Sequence, residues 1–228
     1  MSLNNKKGLG GILKMGIGVK IICLFIGYAF GCIQTAYITG RVARDIDIRE
    51  HGSGNAGMTN VLRTIGRRAG IIVFFCDVLK AVLAFVIASL IFNGGGSFFA
   101  ESLPLQPGLY AGLGVVLGHN FPFFLRFKGG KGIAATLGVM LALDWRAAVI
   151  VYVVAAILIA ITKYISLGSI TMVLLFPALL LVFGHHIETL VIMLILAAMA
   201  IFLHRGNVQR LLAGTERKLE LWRKKAKE

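Results

Sequence analysis

Long apolar runs, separated by short polar segments, set the pattern of this chain. A membrane-crossing helix takes about 20 apolar residues, fewer when its flanking residues snorkel. Seven stretches qualify as candidates, near residues 17–40, 69–92, 107–125, 132–143, 146–162, 165–184 and 187–203. The fourth and fifth are short, and only Asp144-Trp145-Arg146 divides them. The pattern predicts an all-α, polytopic integral membrane protein with seven transmembrane helices. One membrane domain covers residues 1–228, with an N-terminal extension over 1–16 and a basic tail over 204–228. Gly8 to Gly18 reads as a short interfacial stretch. No internal repeat stands out, so an inverted-repeat transporter gains no support.

Composition agrees with the pattern. Of the 228 residues, 57% are hydrophobic, above the roughly 45–50% of soluble domains. The net charge of +14 is large, but it lies in the short segments between apolar runs. That placement suits anionic lipids and anionic substrates rather than nucleic acid. The basic residues also set an orientation. Arg41, Arg44, Arg49, Arg63, Arg67 and Arg68 lie between the first two runs, and Arg126, Lys128 and Lys131 between the third and fourth. Lys163 follows the fifth, and the tail after the seventh is strongly basic. Residues 93–106 and the turn His185-His186-Ile187-Glu188 carry no Lys or Arg. With the basic loops inside, the C-terminus is cytoplasmic and the N-terminus outside, although Lys6, Lys7, Lys14 and Lys20 pull the other way. Cys23, Cys32 and Cys76 fall within apolar runs and read as small core residues, neither disulfide-forming nor metal-binding. No cleavable signal is expected at the N-terminus, because no small-residue cleavage site follows the first apolar run.

Three polar segments on the expected cytoplasmic side carry the candidate chemistry. The first, His51 to Ala69, sets Ser53, Asn55, Thr59 and Asn60 among glycines and follows them with Arg63 and Arg67. The two arginines share a face if the segment from Asn60 is one helix, and a guanidinium suits phosphate. The second, Gly118 to Thr136, joins His119-Asn120, an aromatic-proline run, Lys128 and Lys131, with Gly129, Gly130 and Gly132 around the second lysine. Glycines there would let backbone N–H groups turn toward a phosphate; a basic turn anchored in lipid headgroups is the alternative. It is no Walker A loop, which needs a glycine at position 125 and Ser or Thr at 132. The third, from His204 through Asn207 to Glu216, begins where the last apolar run ends. Asp77 and Lys80 form an i, i+3 pair inside the second run and read as a structural bridge near the site. Several chemistries are absent: no Gly-x-Ser-x-Gly elbow, no His-Glu-x-x-His, and no His followed five positions later by Asp. His185, His186 and Glu188 form a metal cluster only by composition, and no metal or cofactor is expected.

Read together, GSGNAGMTNVLRTIGRRAG with Asp77-Val78-Leu79-Lys80 behind it, GHNFPFFLRFKGGKGIAAT, and HRGNVQRLLAGTE resemble, in order, the three motifs of bacterial acyl-phosphate:glycerol-3-phosphate acyltransferases. Ala56 stands where that family commonly has Pro. The resemblance implies transfer of a fatty acyl group from acyl phosphate to the 1-hydroxyl of glycerol 3-phosphate, without acyl-CoA or acyl carrier protein as direct donor. It implies essential roles for Ser53 and Arg63, a phosphate-binding loop of Lys128, Gly129, Gly130, Lys131 and Gly132, and active-site roles for His204 and Asn207. Glu216 carries over as mainly structural, and Thr59, Asn60 and His119 as lesser candidates. The resemblance also implies a multi-pass protein of the bacterial inner membrane, with its active site facing the cytoplasm; the oligomeric state is left open, and a monomer suffices. Two other readings fit the same residues: a carrier for an anionic metabolite, and a lipid phosphotransferase or phosphatase, which lacks an acidic metal-binding cluster on the cytoplasmic side.

Overall fold

A computed structural model describes residues 15–92 and 105–219. The described residues form ten α-helices and no strand: α1 Ile17–Gly31, α2 Thr35–Arg44, α3 Met58–Thr64, α4 Arg67–Phe92, α5 Gln106–Asn120, α6 Ile133–Leu143, α7 Trp145–Thr162, α8 Ile165–Val182, α9 Ile187–Leu203 and α10 Arg205–Leu212. Each of the seven apolar stretches is helical, but they differ in reach. Five helical segments are long and apolar enough to cross a bilayer: Ile17–Arg44 (α1 with α2), Arg67–Phe92, Gln106–Leu125, Trp145–Thr162 and Ile165–Val182. A sixth is counted if α9 and α10, bent by 61°, form one span. The 11 residues of α6 rise only about 16 Å, roughly half of the hydrocarbon thickness. Most of the N-terminal extension, including Gly8 to Lys14, lies outside the described residues, as do 93–104 and the end of the tail.

The break between α6 and α7 has a local cause. Asp144 caps α7 by accepting the N–H groups of Arg146 (3.0 Å) and Ala147 (3.2 Å). It also holds His185 of the α8–α9 turn at 3.0 Å. Burial would raise the Asp144 pKa, but hydrogen bonds from Arg146, His185 and the helix amides hold it down to about 2.

Helices α1 and α5 pack by direct backbone approach. A Cβ on Gly27 or Gly31 of α1 would collide with the Ala111 or Val115 carbonyl of α5, and one on Gly114 or Gly118 would collide with α1 in return. Such small-residue seams let helices associate where lipid offers no hydrophobic drive. The main core joins α4 through α9 around Phe85, Val115, Val139, Met140, Phe176 and Met193. Helix α6 packs against both α4 and α7, which places it behind the cavity that the polar segments enclose.

Candidate active site

The first polar segment is braced from within. The Asn60 side chain accepts the Ser53 N–H (2.8 Å) and donates to the carbonyls of Ile48 and His51 (2.9 Å each). Its amide is therefore committed to shaping the loop that presents Ser53 and Thr59. Gly52, at φ +64°, permits the turn, and a Cβ there would meet the Asn60 oxygen. Arg49 pairs with Asp47 at 2.6 Å and donates to the Leu125 carbonyl at 3.0 Å, tying this segment to the second one. The expected shared face of Arg63 and Arg67 does not form. Helix α3 ends at Thr64, Gly66 takes φ +137°, and Arg67 opens α4. Arg63 reaches the site, with its Nη2 3.4 Å from the Arg217 carbonyl.

In the second segment the glycines do something other than expected. The N–H groups of Gly129 and Gly130 donate to Asn120 and His119 carbonyls (3.0 Å each), so these two amides fold the loop back on α5. A Cβ on Gly129 would strike the His119 carbonyl, and one on Gly130 the His119 ring and the Ala56 carbonyl. Gly132, at φ +76°, then turns the chain into α6. Of the expected loop, only Lys131 and Gly132 line the site; Gly129 and Gly130 do not, and Lys128 is exposed to one side. The reason is the zipper to α5, which places positions 128 and 131 on different faces of the turn.

Beneath this loop, Lys80 pairs with Asp77 at 2.7 Å and donates to His119 Nδ1 (3.1 Å) and the Ile33 carbonyl (2.7 Å). Thr35 donates to Asp77 (3.2 Å), and buried Gln34 donates to the Gly31, Gly118 and His119 carbonyls (3.1 Å each). Asp77 and Lys80 thus bridge the α1–α2 break to α4 and α5, while Asp77 and His119 reach the wall of the site.

The third segment starts at the α9–α10 bend. His204 Nδ1 donates to the Ala200 carbonyl at 2.8 Å; since a carbonyl only accepts, Nε2 of the neutral ring carries the lone pair. Asn207 accepts from Lys131 and donates to Glu216 at 2.7 Å. Glu216 also accepts from Ser166 (3.0 Å) and pairs with Arg210 (2.7 Å). Burial would raise the Glu216 pKa, but hydrogen bonds from Asn207, Arg210 and Ser166 keep it below the usual carboxylate range. Burial pushes the Lys131 pKa down to about 8; Arg210 and Arg63 add to this and Glu216 opposes it. Sequence reasoning missed Ser166 and Arg210. Ser166 leaves one signal, a hydroxyl at the start of an apolar run.

These groups enclose one end of a cavity of about 990 Å³. Ser53, Thr59, Arg63, Lys131, His204 and Asn207 line the polar end. Phe74, Leu137, Tyr152, Ala155, Ile159 and Met172 line an apolar arm that runs between α4 and α7 over α6. His185 and His186, in the α8–α9 turn, and Glu188, in the first turn of α9, are elsewhere. Glu188 binds Lys20, Gln106 and Tyr110, and His185 binds Asp144, so they serve separate networks.

A sequence profile described as glycerol-3-phosphate acyltransferase matches residues 21–214, which include all three polar segments up to the turn after α10. The chain belongs to the glycerol-3-phosphate acyltransferase family. It is an acyltransferase, and the family places it in phospholipid biosynthesis. The glycerol-3-phosphate acyltransferase of Thermoanaerobacter sp. (strain X514) is 44% identical over 199 residues, covering 87% of this chain and 95% of that one. That of Clostridioides difficile (strain 630) is 42% identical over 209 residues, covering 90% and 98%. Two crystal structures of PlsY (YgiH), an integral membrane glycerol 3-phosphate acyltransferase, superpose on this acyltransferase with TM-score 0.76 at 34% and 33% identity. Each covers 88% of this chain, and 96% and 95% of its own. One is a glycerol 3-phosphate form and the other a lysophosphatidic acid form.

Proposed function

We propose that this acyltransferase moves a fatty acyl group from acyl phosphate to the 1-hydroxyl of sn-glycerol 3-phosphate, giving 1-acyl-glycerol 3-phosphate (lysophosphatidic acid) and inorganic phosphate. One observation carries this reading: a single cavity joins a cationic polar end to an apolar arm, matching the two parts of an acyl phosphate. The forms in which PlsY was crystallised, glycerol 3-phosphate and lysophosphatidic acid, are the acceptor and product of the same reaction.

The polar end must bring two phosphates together, and Arg63, Lys131 and Arg210 offset their repulsion. Ser53, on the loop that Asn60 braces, orients the donor phosphate. His204 and Asn207, fixed by Ala200 and Glu216, orient the acceptor. The C1 oxygen forms a bond to the acyl carbon, and the bond from that carbon to the phosphate oxygen breaks with its electron pair on phosphate. The hydroxyl proton passes to a phosphate oxygen, so no protein base is required. Phosphate is a good leaving group, and positioning with electrostatics supplies most of the rate.

The cavity faces the cytoplasmic side of the bacterial inner membrane, with the N-terminus outside and the C-terminus inside. The basic residues on its side support this; the seven-span count includes α6, whose helix alone covers about half of the hydrocarbon.

Purified protein supplied with palmitoyl phosphate is expected to release phosphate only when glycerol 3-phosphate is present, matched one-for-one by lysophosphatidic acid. Release without acceptor would indicate a hydrolase instead. His204→Gln is expected to lose less than about a thousandfold in kcat, and a larger loss with substrate binding intact would assign His204 as the base.

A further inference from the structure

The apolar arm raises a question of length. It runs along α7 from Ile159 to Tyr152 and along α8 from Ile165 to Met172, about 10 Å at the helical rise. Its inner end is closed. The Tyr152 hydroxyl donates to the Leu137 carbonyl of α6, and Met172 is almost fully buried. A palmitoyl tail spans a leaflet, about half of a ~30 Å hydrocarbon core, so it is longer than the arm. Part of the tail must leave sideways.

The lining shows where. Most of the arm is buried or half-buried, but two lining residues are exposed on the lipid-facing surface: Phe75 of α4, at 64%, and Ala156 of α7. They stand on opposite walls, since α4 and α7 flank α6. Ala156 is the smaller by far, and its neighbour Ile157 faces lipid without lining the cavity.

We propose that the slot between Phe75 and Ala156 is where the acyl chain passes from the cavity into the bilayer, and that the small side chain at position 156 sets which chains the enzyme accepts. This rests on the acyl-phosphate reading of the reaction. A donor short enough to lie within the arm does not use the slot, whereas a long-chain donor must thread it. Bulk at position 156 therefore discriminates by chain length, leaving the cationic end untouched.

The test compares palmitoyl phosphate with butyryl phosphate in Ala156→Phe. The kcat/KM for palmitoyl phosphate is expected to fall at least about tenfold, with that for butyryl phosphate within about twofold. Retained butyryl turnover also reports that the variant is folded. Ile157→Phe is expected to leave both donors unchanged. Adding Phe75→Ala to Ala156→Phe widens the slot from the other wall and is expected to restore palmitoyl turnover. Equal loss on both donors without that restoration, or no loss on palmitoyl phosphate, would overturn the slot while wild-type activity still upheld the reaction. A wild-type protein that forms product from neither donor would overturn the donor assignment and the slot with it.

Discussion

Lys131 is the residue whose charge state decides most at the polar end. Burial and the nearby Arg210 and Arg63 lower its pKa to about 8, so its ammonium gives up the proton earlier than an exposed lysine does. This fixes the sign of the effect on binding. Below about pH 8 the cation is present to meet a phosphate, and above it the free site loses that charge. The KM for glycerol 3-phosphate is expected to be flat from about pH 6.5 to 7.5 and then to rise, by up to about tenfold per pH unit. Lys131→Arg, which stays protonated, is expected to flatten the rise; steady-state kinetics to about pH 9.5 check both. Sequence alone could not separate Lys131 from Lys128, because both stand beside glycines on one short turn. The choice is made by Gly129 and Gly130 bonding back to Asn120 and His119. The bracing role of Asn60 was hidden in the same way, since its partners lie seven to twelve positions upstream. Ser53, Arg63, Lys131, His204 and Asn207 were legible because three separated motifs named them, and the fold brings all five to one cavity.

Breaks in helices, more than helices themselves, build this candidate site. The α1–α2 break frees the Ile33 carbonyl and places Gln34 against α5, the α3–α4 break ends the helix that carries Arg63, and the α9–α10 bend starts the third polar segment at His204. The first of these is held by Asp77 and Lys80 across α4, with His119 beside them. Removing one member leaves a buried charge without its partner. Asp77→Asn or Lys80→Met is expected to destabilise the fold by about 3–5 kcal/mol, and the double replacement Asp77→Leu/Lys80→Met by clearly less. Unfolding followed in detergent, compared among the three variants, measures the difference. The intramembrane positions of this pair announced a bridge in the sequence, but its reach to Ile33 could not be read there. Nor did the apolar pattern show which runs are long enough to cross. The stretch 132–143 counts as a run by hydropathy, yet its helix stops where Asp144 caps the next one.

Across the whole molecule, the bundle and the site depend on different parts of the chain. The seams and core that hold α1 and α4 through α9 together end with the last apolar helix. The polar end is closed by the segment beyond that helix. Glu216 gathers Ser166, Asn207 and Arg210, Arg63 reaches the Arg217 carbonyl, and the Leu219 N–H meets the Lys163 carbonyl at 2.7 Å. A protein ending at Ala213 is therefore expected to insert at wild-type abundance but to lose at least about a hundredfold in kcat/KM, from stranding the partners of Glu216. Membrane fractionation with an activity assay on the same preparation checks both halves. A late stop codon in such a gene would thus be easy to mistake for a harmless trim. The cell would make the protein, place it in the membrane and carry a silent enzyme.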